Sequence, residues 1–228
     1  MKKMLGILTL VLTLSMSACS PVSDGTGLDG ELVTALAPEL GDDQASLSQA
    51  TVNALMQAAD APALEMLTAT FTAIAGERQS FRIRYDVPGE DVDPSPNFFR
   101  LDFHNETLLA RPDGTYFAEG ETIEITVTID PSDLRVELEP SGLTFDPDEP
   151  AELRIRYARA NPDYNGDGHV DSLDSDLENG SLGLWVRLGP DTPTSTEPWT
   201  LLSDADHDLS GKEFRAEIEH FSGYVVAW

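Results

Sequence analysis

From Ser80 to the end of the chain, apolar side chains recur at every second position in short segments. The segments that show this alternation best are residues 80–87, 98–103, 122–129, 152–157, 182–188 and 213–221. A period of two places the apolar side chains on one face of an extended strand, whereas a helix requires a period of 3.6. Turn clusters such as PDGT at 112–115 and GPDTP at 189–193 separate the segments. The pattern predicts a mainly β fold, an antiparallel β-sandwich over residues 78–228.

A different periodicity precedes these strands. In residues 43–76 the apolar side chains fall three or four positions apart, as in an amphipathic helix. The positions that form the two stripes are Leu47, Ala54, Leu55 and Ala58, then Leu64, Leu67, Phe71 and Ile74. Pro62 interrupts the pattern and Gly76 is a plausible helix stop. We therefore predict a small N-terminal helical hairpin over residues 43–76.

The N-terminus has the layout of a secretory signal. Two lysines are followed by an apolar run from Leu5 to Leu14 and by small residues, and the run is too short for a membrane span. Residues 16–19, Met-Ser-Ala-Cys, resemble the lipobox of bacterial lipoproteins, in which the cysteine is lipidated. That resemblance implies a signal peptide at 1–18, a lipid anchor on Cys19 and, from Ser20, an outer-membrane location. The alternative is an ordinary signal peptide with an incidental cysteine.

Residues 19–42 are rich in Gly, Ser, Asp and Pro and are predicted to be a flexible tether. The chain carries 41 acidic residues against 14 Lys and Arg, a formal net charge of −27. Such a charge repels nucleic acid and anionic lipid headgroups, so both are excluded as partners, and it attracts cations. A single cysteine cannot form an internal disulfide, so the core must supply stability.

Residues 163–174, DYNGDGHVDSLD, place oxygen-bearing groups at regular spacing. An EF-hand-type loop binds one Ca²⁺ through positions 1, 3, 5, 7, 9 and 12 and needs glycine at position 6, filled here by Gly168. The predicted ligands are Asp163, Asn165, Asp167, His169 through its backbone carbonyl, Asp171 through water, and Asp174. We expect Val170, at position 8, to anchor the loop to a core. The alternative is a solvated acidic turn.

Two departures from that pattern weaken the predicted site. A strand and Asn161-Pro162 precede the loop, so no entering helix exists, and aspartate replaces the usual bidentate glutamate at position 12. We predict a lone calcium loop inserted at 161–178 between two strands, with a short exit helix and a dissociation constant on the order of 10⁻⁴ to 10⁻³ M. The loop also resembles a dockerin half-repeat, which implies partner docking as an alternative. A second acidic stretch, residues 204–208, is predicted to be a hairpin turn.

The C-terminal half resembles the ZU-five-like β-sandwich of bacterial surface proteins over about residues 120–228. The motifs that carry this resemblance are PSGLTF at 140–145, Trp199 and HFSGY at 220–224. In some relatives His-Phe-Ser is a self-cleavage site, which implies an alternative in which Ser222 attacks the Phe221 carbonyl with His220 as base. Packing of a last strand is the other interpretation. No nucleophile elbow, HExxH pair or phosphate loop occurs. We therefore predict a non-enzymatic surface module with a structural calcium ion and an unknown protein or glycan partner.

Overall fold

The computed structural model describes residues 52–87, 97–187 and 199–228, all of which belong to one compact unit, Ser46–Trp228. Within those ranges the chain forms thirteen strands and one helix. The elements are β1 Thr68–Ile74, β2 Gln79–Arg84, β3 Asn97–Phe103, β4 Leu108–Ala110, β5 Thr122–Asp130, β6 Arg135–Glu139, β7 Thr144–Phe145, β8 Ala151–Arg156, α1 Ser172–Gly180, β9 Gly183–Arg187, β10 Trp199–Leu201, β11 Asp206–Asp208, β12 Glu213–Ile218 and β13 Gly223–Ala227.

The strands form two large sheets and one small one. The six-stranded sheet has the order β1-β5-β6-β13-β9-β10, the five-stranded sheet has the order β11-β12-β8-β3-β2, and β4 pairs with β7. Every pairing between these strands is antiparallel. Each of the six segments with alternating side chains contains a strand, so the mainly β, antiparallel prediction is confirmed.

The buried faces of both large sheets contribute to one hydrophobic cluster. In β8, Leu153 and Ile155 are fully buried while the intervening Arg154 is not, as the alternation predicts. Within that cluster, three aromatic rings connect the small sheet to the five-stranded sheet and to the segment before β13. Phe145 lies edge-on to Phe103, with ring centroids 5.8 Å apart, and edge-on to Phe221 at 5.1 Å. Such aromatic pairs add to the stabilisation that apolar burial supplies.

The predicted helical hairpin at 43–76 is wrong over the residues that the structure describes. Thr68–Ile74 is strand β1, paired along its length with Thr122–Thr128 of β5, and residues 52–67 contain only turns and isolated bridges. Thr68, Thr70 and Thr72 alternate with Ala69, Phe71 and Ala73, and β-branched residues at every second position favour a strand that covers the edge of β5. The helical stripe was a coincidence of spacing, and residues 43–51 lie outside the described residues.

The segment that precedes β1 runs along the C-terminus. The Asn53 N–H donates to the Trp228 carbonyl at 3.0 Å, and the Leu55 N–H donates to the Val226 carbonyl at 3.0 Å. Leu55 is 2 % exposed and belongs to the core. The signal peptide 1–18, Cys19 and the tether 19–42 lie outside the described residues. In the part of the chain that is described, no helix is long and apolar enough to cross a membrane.

Candidate metal centre

The acidic loop 163–174 follows β8 and ends in the first turn of α1, and Trp228 at the end of the described residues contacts it. The indole N–H of Trp228 donates to the Tyr164 carbonyl at 3.1 Å. The N–H of Asn161, just before the loop, donates to the Met56 carbonyl at 2.7 Å. These two hydrogen bonds hold the start of the loop next to Trp228, which follows β13, and next to the N-terminal segment that contains Met56.

Asp163 organises the first half of the loop. Its Oδ1 accepts hydrogen bonds from the N–H groups of Gly166 at 2.8 Å and Asp167 at 3.1 Å, and its Oδ2 accepts from Gly168 at 2.8 Å. Gly168 has φ +88°, a conformation that L-residues with side chains rarely adopt. The backbone at position 6 of the loop therefore adopts a conformation that favours glycine, and glycine is the residue that the calcium-loop pattern requires there.

Asn165 and Asp167 continue the turn. The Asn165 Oδ1 accepts from the Asp167 N–H at 2.9 Å, and the Asp167 Oδ1 accepts from the His169 N–H at 2.9 Å. The Asn165 Nδ2 donates to the Asp167 Oδ2 at 3.2 Å. Each of these side-chain oxygens accepts a single hydrogen bond here, and an amide or carboxylate oxygen has two lone pairs. Acceptor capacity is therefore left at both residues.

Asp174 closes the loop from the first turn of α1. Its Oδ1 accepts from the N–H groups of Tyr164 at 2.7 Å and Asn165 at 3.2 Å, and its Oδ2 accepts from Asp171 at 2.9 Å. The side chain is buried, at 2 % exposure, and these backbone hydrogen bonds, that from Asp171 first, hold the pKa of Asp174 below its usual range. Asp171 is the N-cap of α1, accepting from Leu173 at 2.7 Å. The predicted exit helix is present as α1.

The structure brings all six predicted ligand residues into one loop, but their side chains are turned toward backbone N–H groups. Among the described residues, no three His, Cys, Asp or Glu side chains form a group arranged to hold a metal. The prediction for Val170 is wrong, since its side chain is 65 % exposed. The anchoring contacts come instead from half-buried Tyr164, whose carbonyl accepts from the Trp228 indole, and from buried Asp174, whose carboxylate accepts from the loop backbone.

A polar cluster that the sequence did not reveal lies behind the loop. The Lys212 Nζ lies 2.8 Å from the Glu178 Oε1 and 3.2 Å from the Tyr164 hydroxyl, which donates to Glu178 at 3.2 Å. Burial lowers the pKa of Lys212, but the bonds to Glu178 and Tyr164 outweigh it and leave the pKa raised. The three residues come from the loop, from α1 and from the turn between β11 and β12. This arrangement fixes α1 against the five-stranded sheet.

His207 completes the surroundings of this cluster from β11. Its Nε2 lies 2.6 Å from the Tyr157 hydroxyl, and its ring stacks on Phe214 with centroids 4.1 Å apart. Burial lowers the pKa of His207, and the nearby carboxylates of Glu178 and Asp208 oppose that effect without reversing it. The predicted hairpin turn at 204–208 is wrong, because Asp206–Asp208 form strand β11, paired with β12, and the turn between these two strands lies at 209–212.

Acidification from pH 7.5 to 5.5 is expected to lower the free energy of unfolding through His207. Because the folded pKa lies below the unfolded value of about 6.5, the unfolded chain binds more protons, and stability is lost as the pH falls from that value through the folded pKa. Urea unfolding at the two pH values measures the loss. His207→Gln should reduce the difference between them, whereas His104→Gln, at a half-exposed site, should leave it unchanged. An equal difference in both variants would contradict the assignment.

The His220-Phe221-Ser222 segment lies between β12 and β13. The Ser222 side chain is 4 % exposed, and its hydroxyl donates to the Arg187 carbonyl at 2.8 Å. The His220 Nδ1 lies 3.3 Å from the Phe221 carbonyl oxygen, and the Tyr224 hydroxyl donates to the His220 carbonyl at 2.7 Å. A serine hydroxyl whose proton is held by a neighbouring carbonyl is poorly placed to pass that proton to a histidine. The arrangement favours packing over self-cleavage.

The described part of the chain is thus a mainly β protein with antiparallel sheets and an acidic loop hydrogen-bonded to its last residue. A comparison with protein-family models, a search of curated proteins and a search of solved structures each found no match.

Proposed function

We propose that the protein is an outer-membrane-anchored surface lipoprotein whose loop 163–174 binds one structural Ca²⁺, and that its role is non-catalytic. The observation that carries the calcium assignment is the folding of loop 163–174 around Asp163 and Asp174, with Gly168 in the left-handed conformation. The lipid anchor rests on the Met16–Cys19 lipobox resemblance, and the location on Ser20.

The chemistry of the donor set fits calcium. Ca²⁺ takes six to eight oxygen ligands, and a carboxylate has about four lone-pair sites, an amide oxygen two. After the hydrogen bonds described above, the side chains of Asp163, Asn165, Asp167, Asp171 and Asp174 each retain acceptor capacity. The His169 carbonyl would be the sixth ligand. Four carboxylates within twelve residues repel one another, and a divalent cation would relieve that repulsion.

An ion in this loop would stabilise the region where the N-terminal segment joins the domain. The loop backbone is bonded to Trp228, and the residue just before the loop is bonded to Met56. Holding the loop in one conformation would therefore favour the docked conformation of both chain ends. In a surface protein tethered through residues 19–42, a force on the tether would act on this region. The role of the ion would then be to stabilise the structure and not to sense calcium.

We also infer that the two large sheets pack face to face as a sandwich of the ZU-five-like type. The single cluster shared by their buried faces supports this. A sandwich with exposed outer faces and an inserted ion loop suits a binding or structural module. The dockerin-like alternative gains some support from Val170 and Leu173, which are 65 % and 54 % exposed beside each other.

Calorimetric titration of residues 20–228 with CaCl₂ tests the calcium site. We expect one ion per chain, with a dissociation constant on the order of 10⁻⁴ to 10⁻³ M. The Asp163→Asn/Asp167→Asn variant should lose the binding. Asp204→Asn/Asp206→Asn removes the same charge from the acidic stretch 204–208 and should keep the binding. No saturable binding by the unmodified chain, or equal loss in both variants, would reject the site.

A further inference from the structure

Four arginines stand opposite one another on neighbouring strands of the five-stranded sheet. Arg82 of β2 is opposite Arg100 of β3, Arg100 is opposite Arg154 of β8, and Arg154 is opposite Arg215 of β12. Neighbouring strands lie about 4.8 Å apart, so this arginine row extends for roughly 14 Å across the sheet. Its direction is perpendicular to the strands.

The arginine row is on the outer face of the sheet. The residues that alternate with it, such as Leu101 and Leu153, are fully buried in the core. The side chains of Arg100 and Arg154 are 30 % and 24 % exposed, Arg215 is 46 % exposed, and Arg82 at the sheet edge is exposed. A ligand lying across the strands would therefore meet four guanidinium groups.

This concentration of positive charge is unusual for the chain that contains it. Only 14 Lys and Arg oppose 41 acids, and four of them occupy one cross-strand row. Like charges directly opposite each other on a sheet are destabilising. A row of four arginines is therefore destabilising wherever neighbouring acids do not compensate its charge.

A second row of acids runs beside the first. Asp102, Glu152 and Glu217 stand opposite one another on β3, β8 and β12, and Ser80 takes the corresponding place on β2. Arg100 pairs with Asp102 at 2.7 Å, Arg154 pairs with Glu152, and Arg215 lies 3.9 Å from the same Glu152. At the β2 edge, where serine replaces an acid, no ion pair to Arg82 occurs within the described ranges. The compensation is therefore incomplete.

We propose that this outer face binds a linear acidic polysaccharide of the polyuronate type. Its carboxylates would lie along the arginine row, where guanidinium groups offer paired donors that match carboxylate geometry. Its hydroxyl groups would donate to the acidic row, because ionised Asp and Glu are acceptors only. Each sugar of such a chain carries both groups, so the two parallel rows suit one ligand. The net charge of −27 repels polyanions at long range, but physiological salt screens that repulsion beyond about 8 Å, so contacts at the arginine row decide the binding. The proposal goes beyond the calcium loop and does not depend on it.

Other polyanions fit this face less well. Acids on one side of an extended peptide recur every second residue, about 6.7 Å apart, which does not match the strand spacing of about 4.8 Å. A cleft of about 340 Å³ at one side of the face is lined by both rows, including Arg100, Arg154, Asp102 and Glu152, and would receive part of the sugar chain.

Binding of polygalacturonate to residues 20–228 at physiological salt tests this proposal. Chelator is present throughout, so that failure of the calcium site and failure of this surface are distinguishable. Arg82→Gln/Arg154→Gln breaks the row, and Arg111→Gln/Arg135→Gln makes the same charge change elsewhere. Because hydrogen bonds to charged groups are the strong ones, we expect the first variant to bind at least about tenfold more weakly and the second to bind as the unmodified chain does.

The thermal midpoint of the row variant separates lost binding from lost folding. Because Arg154 pairs with Glu152 at a partly exposed site, the row variant should lose no more than about 1 kcal/mol, which keeps its midpoint within about 4 °C of the unmodified chain. Poly-L-glutamate and neutral dextran complete the comparison and should not bind. Absence of polygalacturonate binding, equal weakening in both variants, or binding of poly-L-glutamate in preference would each overturn the proposal, the last in favour of an acidic peptide.

Discussion

Replacing Arg187 by leucine is expected to lower the free energy of unfolding by about 3 kcal/mol, since breaking a buried ion pair from one side is among the costliest substitutions. Arg187 is 5 % exposed at the end of β9, and its guanidinium donates to both oxygens of Glu137 at 2.9 and 2.7 Å. The change removes two charge-assisted hydrogen bonds from a carboxylate that is 25 % exposed. Guanidinium chloride unfolding at neutral pH gives the midpoint and slope that measure the loss.

Two further variants control for the ion pair itself. Arg135→Leu removes a guanidinium that pairs with Asp133 but is 33 % exposed, and it should cost less than about 1 kcal/mol. Arg187→Leu/Glu137→Leu replaces both charges by apolar groups and should recover much of the stability that the single change loses. If Arg187→Leu and Arg135→Leu lower the free energy of unfolding equally, the ion pair between Arg187 and Glu137 stabilises the protein no more than an exposed pair does.

Truncating Phe145 to alanine is expected to cost about 3 to 5 kcal/mol, because a buried aromatic side chain leaves a cavity that its neighbours fill only in part. Phe145 is 2 % exposed and contacts Phe103 and Phe221 edge-on, so one substitution weakens contacts to β3 and to the segment before β13. The same chemical change at Tyr116, which is 71 % exposed, should alter stability by no more than about 0.5 kcal/mol. Denaturant midpoints of the two variants provide the comparison. If the two variants lose similar free energies of unfolding, the packing of Phe145 against Phe103 and Phe221 is not a main source of stability.

The sequence predicted strands where one face is buried and the other is not. In β8 and β12 the alternation of buried and exposed residues is complete, and both were expected. All five residues of β13 are buried, so neither face of this strand meets solvent. A strand without a solvent face loses the period of two, so alternation alone does not locate it.

Strand β1 was mistaken for a helix because short apolar spacings fit both periods. Leu67, Phe71 and Ile74 satisfy a helical stripe, but the pairing with β5 uses the period of two through Ala69, Phe71 and Ala73. A partner strand more than fifty residues away decided the outcome, and that partner is not visible in a local window. The threonines at 68, 70 and 72 were the local signal for a strand.

Local spacing also predicted the conformation of the loop, but it did not predict the contacts between the residues around the loop. The backbone bonds to Asp163 and Asp174 and the left-handed Gly168 follow from residues within twelve positions of one another. The pairing of Tyr157 with His207 and of Tyr164 with Lys212 joins residues about fifty positions apart, which no motif connects. Exposure of Val170 could not be foreseen either, because it depends on what packs against the loop.

Thermal unfolding of residues 20–228 with Ca²⁺ and with chelator tests the central claim most directly. At roughly tenfold excess over the dissociation constant, a ligand of the native state adds ~1.4 kcal/mol, which shifts the midpoint of a chain of this size by about 4 °C. The account predicts that rise with Ca²⁺, a smaller one with Mg²⁺ at equal ionic strength, and none in Asp163→Asn/Asp167→Asn. An unchanged midpoint, or an equal rise in the variant, would contradict it and make loop 163–174 a hydrogen-bonded acidic turn.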